Sequence, residues 1–409
     1  MAASTARRRG SGPAATALLI ATAAAGAPCA AAQQTGEPRL RFAGEASGSY
    51  APQEDLGFFN DAAYGQSYGR NTLRLAVLSL TAEAALWPRA ALVLEGRSEN
   101  LGAPRLSALY LRWRPLARSN ADLQLGRVPP VFGSFARRAY AASNPLVGQP
   151  LAYQYLTSLR PDAVPGSADG FLRTRGAGWR PFYPFGSSEQ NTGLPLSNGS
   201  LWDTGATVRL GDEPLSLALA LTRGSLSRPR VADDNDALQL AGRLGWRPAF
   251  GLRLGLSAAR GRYVDDSLYE QAPSVQLPPD GTQTALGLDL EWAGGPWLVR
   301  AEALTSSWEV PAPLEPGLDV RASTAFVEAR RALGPRLYAA GRLERLSFSR
   351  VTGTDGSFDW DAPVTRVEAG LGWRPLRHAL VKLAYQHDWR DGGRVHEQGF
   401  VAGQVLLWF

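Results

Sequence analysis

The stretch EPLSLALALTR, residues 213–223, places Leu215, Leu217, Leu219 and Leu221 on one phase of a two-residue repeat and Ser216, Ala218, Ala220 and Thr222 on the other. Successive side chains of a strand point to opposite faces, so this is a strand with one aliphatic face and one small, polar face. Helical spacing, with apolar residues three or four apart, does not fit it. The same split recurs along the chain. In DALQLAGRLGWRP, Leu238, Leu240, Leu244 and Trp246 oppose Gln239, Arg243 and Arg247. In TALGLDLEW, Leu286, Leu288, Leu290 and Trp292 oppose Asp289 and Glu291, and in VTRVEAGLGWRP, Val367, Leu371 and Trp373 oppose Arg366, Glu368 and Arg374. One face carries the charges and the other carries none.

That polarity separates two all-β architectures. In a soluble sandwich the apolar face is the shared core, and this many strands would come with linkers between domains. Here hairpin follows hairpin with no shift of composition. In a transmembrane barrel the apolar face meets lipid, the polar face lines the lumen, and each strand has ~10 residues. The strand segments run 39–50, 70–86, 89–99, 105–114, 120–128, 200–211, 213–223, 236–247, 250–263, 282–293, 296–308, 320–332, 335–349, 363–374, 378–390 and 395–409, sixteen in all. The expected fold is therefore an all-β, antiparallel transmembrane barrel spanning 33–409. Every even-numbered connection is short (WPR, PLARSN, GDEP, RPAF, AGGP, LGP, RPLR), while most odd ones are long, as expected if short turns face the periplasm and long loops face outward. An even count returns the last strand to the first, which closes the barrel and leaves no unpaired edge in lipid.

Aromatic residues fall at two levels. Trp87, Trp113, Trp246, Trp292, Trp297, Trp373 and Phe409 lie beside the short turns, and Tyr50, Trp202, Tyr263, Trp308, Phe348 and Trp389 lie at the opposite strand ends. Two girdles at headgroup level are the expectation. The repeated WRP at 113–115, 246–248 and 373–375 fits the turn-side level, with Pro ending the strand.

Composition narrows the setting. Arg7, Arg8 and Arg9 precede an apolar stretch from Ala14 to Ala27 and the small residues CAAAQQ, the layout of a secretory signal spanning 1–32. Cys29, the only cysteine, falls inside that segment, so disulfides do not hold the exported chain. Without the three signal arginines the formal charge is about +3, which is not the surplus of a nucleic-acid binder. After Ala32 no apolar run approaches the ~20 residues of a membrane helix.

The chain as a whole resembles Gram-negative outer-membrane porins. It does so in its signal segment, its strand pattern and its final residues VAGQVLLWF. The resemblance implies residence in the bacterial outer membrane, contact with outer-membrane lipid, and recognition of Val401, Val405, Leu407 and Phe409 by the outer-membrane assembly machinery. It also implies a channel for small polar solutes and the option of a homo-oligomer.

The outsized connection, residues 129–199, far exceeds the ~15 residues of ordinary loops and is the expected constriction or plug. Its opening run LGRVPPVFG, residues 125–133, resembles the strand-to-loop signature of phosphate-selective porins, although the loop lacks the lysine that family uses in its filter. Arg137, Arg138, Arg160, Arg173, Arg175 and Arg180 outnumber Asp162, Asp169 and Glu189 there. A constriction built from them favours anions through fixed charge and bidentate donors. Glu95, Arg243, Asp289, Glu291, Arg300, Glu302, Arg366, Glu368 and Lys382 fall on the lumen phase.

A plugged structural or export barrel is the alternative to a channel. An enzyme is disfavoured because the three histidines, His378, His387 and His396, all lie in the last hairpin without a shared site, and HEQ at 396–398 lacks the second His of a zinc motif. No cofactor, metal or nucleic acid is expected.

Overall fold

The computed structural model describes residues 40–409 except 53–72, 117–119, 136–139, 179, 190, 200, 201, 212, 232–236, 272–276, 278–280 and 394. The expected signal segment lies outside these residues. Sixteen antiparallel strands close into one barrel. They are β1 (Leu40–Tyr50), β2 (Arg74–Trp87), β3 (Ala90–Glu99), β4 (Arg105–Trp113), β5 (Asp122–Val128), β6 (Asp203–Gly211), β7 (Leu215–Thr222) and β8 (Gln239–Ala249). The second half comprises β9 (Leu252–Arg262), β10 (Thr282–Gly294), β11 (Trp297–Val310), β12 (Leu318–Ala332), β13 (Leu337–Phe348), β14 (Val364–Trp373), β15 (Ala379–Arg390) and β16 (Glu397–Trp408). Each strand pairs with its sequence neighbours, and β1 closes on β16 with Glu45 opposite Trp408 and Tyr50 opposite Gly403.

The period-two pattern fixes which way each face looks. Leu215, Leu217, Leu219, Leu221, Leu244, Leu286, Leu288 and Leu371 all point out of the barrel and are exposed. An aliphatic belt of this extent on a closed sheet is built for hydrocarbon, where every backbone polar group is satisfied within the ladder. Short turns join the strands at one end, and Gly251 (φ 77°) and Gly295 (φ 55°) occupy the left-handed conformation that two of these turns require. Trp87, Trp113, Trp246, Trp292, Trp297, Trp373 and Phe409 are exposed beside the turns and form one girdle.

The second girdle is smaller than the sequence suggests. Tyr50 and Trp389 face outward, whereas Tyr263, Trp308 and Phe348 are buried inside. Trp308 shares its strand phase with Glu302, Leu304 and Ser306, so alternation turns it into the lumen. There Trp308 meets Trp360 edge to face at 6.0 Å, Trp360 meets Phe348 at 4.8 Å, and Phe171 stacks on Trp360 at 5.3 Å. These rings form a dry core between the wall and the long connection, rather than a lipid anchor.

Candidate functional site: the lumen and its in-folded segment

Between β5 and β6 the chain runs through the barrel interior. Pro129 and Pro130 end the strand, and Phe132 and Phe135 are buried just beyond them. The segment's described residues form two short helices, α1 (Leu151–Gln154) and α2 (Ala168–Leu172), and a two-residue ladder of Ala163–Val164 with Phe185–Gly186, so most of its backbone needs partners from elsewhere. Inward wall residues supply them. Glu302 Oε2 accepts from the amides of Ser134 (2.8 Å) and Phe135 (3.1 Å) and from Ser134 Oγ (2.9 Å), and its other oxygen accepts the Tyr153 hydroxyl. Glu45 accepts from the amides of Ala141 and Ala142, and Glu344 accepts from Leu151 at 2.6 Å. Lys382 Nζ donates to the carbonyls of Ala141 (2.6 Å), Asn144 (2.6 Å) and Leu146 (3.2 Å), and to Gln404 Oε1 (2.8 Å).

On the long-loop side, Asp361 plays the same part. Its carboxylate accepts the amides of Ser158 (2.7 Å) and Gly176 (2.9 Å) and the Tyr155 hydroxyl (2.9 Å). The phenols of Tyr140, Tyr155 and Tyr183 are pushed well up, first by burial; for Tyr140 the adjacent Glu95 adds to the effect, and for Tyr155 and Tyr183 Asp361 does. They therefore remain neutral donors, Tyr140 to Glu95 at 2.6 Å and Tyr183 to the Ser158 carbonyl at 2.7 Å.

Strand register arranges the wall charges in rows. Arg253, Glu291, Arg300, Glu328, Arg342 and Glu368 are successive cross-strand partners from β9 to β14, alternating in sign. Opposite charges facing each other across strands attract. Arg300 reaches Glu291 at 2.8 Å, and Arg342 reaches Glu328 at 3.2 Å, Glu344 at 2.8 Å and Glu368 at 2.6 Å. One pleat away, Arg366 bridges Asp388 at 2.6 Å and Gln154 at 2.5 Å.

These partners place the predicted residues. Glu95, Arg243, Asp289, Glu291, Arg300, Glu302, Arg366, Glu368 and Lys382 all face inward, and most are sealed beneath the long segment. Arg160 lines no open path: it is buried and grips Asp162 through two bonds of 2.9 and 2.8 Å. A buried guanidinium needs its charge matched locally, and the nearest carboxylate is two residues on. Arg173 and Arg180 are exposed, and Arg175 donates to the Asp361 and Asp391 carbonyls at the long-loop end. Arg137 and Arg138 lie outside the described residues. Val401, Val405, Leu407 and Phe409 face outward and are exposed.

The residues missed from sequence include Glu45, Arg209, Arg253, Glu328, Arg342, Glu344, Asp361 and Asp388. The phase that picked out Arg366 and Glu368 would also have found Arg342 and Glu344 in LYAAGRLERLSF. Of the histidines, His378 packs its ring against Trp408, while His387 sits on the outer face between the Tyr385 hydroxyl and Glu397, each at 3.0 Å.

Solvent access divides the wall. Side chains of Arg342, Glu344, Arg366 and Asp388 are at most 1% exposed, whereas Arg253 keeps 55% and Arg112 keeps 23%. The segment packs dry against β11–β15, whereas Arg112 on β4 and Arg253 on β9 keep solvent.

No family model and no curated protein matches the chain. Solved structures do. The anion-selective porin from Comamonas acidovorans superposes with a TM-score of 0.55 at 9% identity, covering 90% of this chain and 99% of the other. OmpT, an outer membrane protein of Vibrio cholerae, gives 0.53 at 9% identity over 92% and 100% of the two chains. The outer membrane channel DcaP of Acinetobacter baumannii gives 0.52 at 11% identity over 90% and 97%. The chain thus has the fold of a porin-type, sixteen-stranded bacterial outer-membrane barrel.

Proposed function

We propose that this protein is an outer-membrane channel through which small polar solutes diffuse passively, with a preference for anions. The observation that carries this reading is the unequal wetting of the lumen wall. A segment that filled the barrel would desolvate charges on every strand, but Arg112 and Arg253 retain solvent while Arg342 and Arg366 on β13 and β14 do not. Carboxylates on the wet arc are paired: Glu83 with Arg112, Asp289 with Arg243, Glu291 with Arg253 and Arg300. Arg209 faces Asp122 across the strands without bonding to it, so its N–H groups stay open to a solute, and fixed guanidinium groups at a narrow place favour anions. No catalytic role enters this reading.

A plugged barrel is the second reading, favoured by the depth of the dry packing around Trp308, Trp360 and Phe171. Purified protein in planar bilayers decides between them. Ohmic unitary currents with a reversal potential on the chloride side support the channel; silent insertions support the plug.

A further inference from the structure

A cavity of about 400 Å³ opens in the turn-side half of the lumen beneath Gly133 and Ser134. Its floor is made of small residues in register: Ser216 faces Gly245, Gly245 faces Gly255, and Ala218 lies one pleat away. The glycines are what keep it empty. A Cβ on Gly245 would stand 2.6 Å from Ser216 Oγ, and one on Gly255 would strike the Arg243–Asp289 pair. Arginines stand on both sides of this floor. Arg209 and Arg243 are both cross-strand partners of Ala218, and Arg247 and Arg253 lie nearer the turns.

The counter-charges are mostly spoken for. Asp289 is held by Arg243 through bonds of 3.1 and 2.5 Å, Glu291 is shared by Arg253 and Arg300, and Arg247 pairs with Glu213. Arg209 differs. Its cross-strand neighbour is Asp122, but it makes no hydrogen bond or ion pair among the described residues. The Ser216 hydroxyl, at the same cavity, has no hydrogen-bond partner among them either.

We propose that this basin binds a small organic anion through its carboxylate, with Arg209 as the principal ligand and Ser216 as a second donor. A guanidinium offers two parallel N–H groups to a carboxylate, and the hydroxyl can complete its shell. The remaining lining of Pro214, Ala218 and glycine backbone suits a short carbon skeleton better than a bare inorganic ion. The volume is at the lower end of the ~300–1,000 Å³ typical of ligand pockets. This rests on the channel reading and adds that the solute pauses at a discrete site instead of crossing an unselective pore.

Two measurements keep the readings apart. Binding of 4-fluorobenzoate to the detergent-solubilised barrel, followed by ¹⁹F NMR, tests the basin without any current. Saturable binding should appear at millimolar concentration, weaken about tenfold or more in R209Q, and vanish in G245V, which fills the floor; heat-modifiable migration checks that each variant is folded. Where G245V does not fold, R209Q and S216A carry the test. Binding that is absent in wild type, or equal in R209Q and wild type, overturns the basin. Bilayer currents from the same samples test the channel: silent wild-type protein with intact binding refutes the channel and keeps the site, whereas conducting protein without binding does the reverse.

Discussion

Arg342 Nη2 donates to Glu368 Oε2 at 2.6 Å, while the second oxygen of that carboxylate accepts the amides of Val147 (3.2 Å) and Gly148 (2.9 Å). The same Arg342 nitrogen reaches the Gly148 carbonyl at 2.8 Å, so one wall ion pair holds a turn of the in-folded segment by both its donors and its acceptor. Removing one partner of a buried pair typically costs about 3–5 kcal/mol, because the other charge is left uncompensated. E368A should therefore free residues 144–151 while the outer ladder of the barrel persists. Chymotrypsin should then cut near Leu146 or Tyr153 in the detergent-folded variant and not in wild type. Equal resistance of the two would count against the clamp.

Lys382 holds the adjacent turn by a different geometry. Its single ammonium meets three backbone carbonyls and Gln404 in a site with almost no solvent. K382M would leave those carbonyls buried without a donor, at about 1–3 kcal/mol for each group that water cannot reach. Arginine would not restore them, since a planar fork cannot replace a compact ammonium at the same point. Amide exchange of residues 141–149 should accelerate in both K382M and K382R. Protection at wild-type level in K382R would show that charge alone is sufficient.

The barrel was legible because one physical rule, alternation against lipid, acts on every strand. It marked the segments 89–99 and 120–128 even where they are short, and Ala90–Glu99 and Asp122–Val128 are strands. Alternation also places Trp308 and Phe348 inside; it is position at a strand end, considered without phase, that makes them look like interface anchors. The loop arginines resisted reading for another reason. Whether Arg160 lines a pore or binds Asp162 depends on the path of an irregular chain, and no periodicity encodes that path. Arg342 and Glu344 were readable from phase. That they meet the backbone around Gly148 and Leu151 was not, because those contacts join positions 193 or more residues apart.

Selectivity should follow the wet arc. Neutralising Arg97, Arg112 and Arg253 to glutamine removes solvated positive charge but leaves Glu83, Glu99 and Glu291 in place, so the reversal potential in a potassium chloride gradient should move toward potassium. The matching triple change at Arg173, Arg175 and Arg180 touches the long-loop mouth and should move it by less than half as much. If the mouth variant gave the larger shift, the selective region would lie in the long segment.

Acid should loosen the Arg160–Asp162 clasp only late. Burial pushes the Asp162 carboxyl up, but hydrogen bonds from Arg160 and Asn191 outweigh it and hold the group below the usual carboxylate range. A depressed folded value means that the contribution is present above the unfolded value of about 3.9 and is lost as pH falls through the folded one. Exchange protection at the Ser187 amide, which bonds to the Asp162 carbonyl at 2.8 Å, should therefore hold from neutrality down to about pH 4 after correction for intrinsic rates. D162N should lose it at neutral pH. Loss of protection in wild type near pH 6 would contradict this order.

Phe409 and Gly44 exchange both backbone bonds, 3.0 Å from the Phe409 amide to the Gly44 carbonyl and 3.2 Å in return. The Phe409 ring lies over Gly44 so closely that a Cβ there would collide with it. Phe409 thus has a place in barrel closure besides any part in recognition by the assembly machinery, and two variants separate these roles. F409D removes the aromatic that the machinery would read and puts a charge at the lipid boundary. G44V leaves VAGQVLLWF untouched but displaces the ring, at about 1–3 kcal/mol for an overpacked contact. If the machinery reads the free strand before closure, G44V should reach the outer membrane as a heat-modifiable barrel that melts at lower temperature. F409D should accumulate unassembled in the periplasm. Equal loss of both variants would assign the requirement to closure, and normal assembly of F409D would remove the aromatic from the signal altogether.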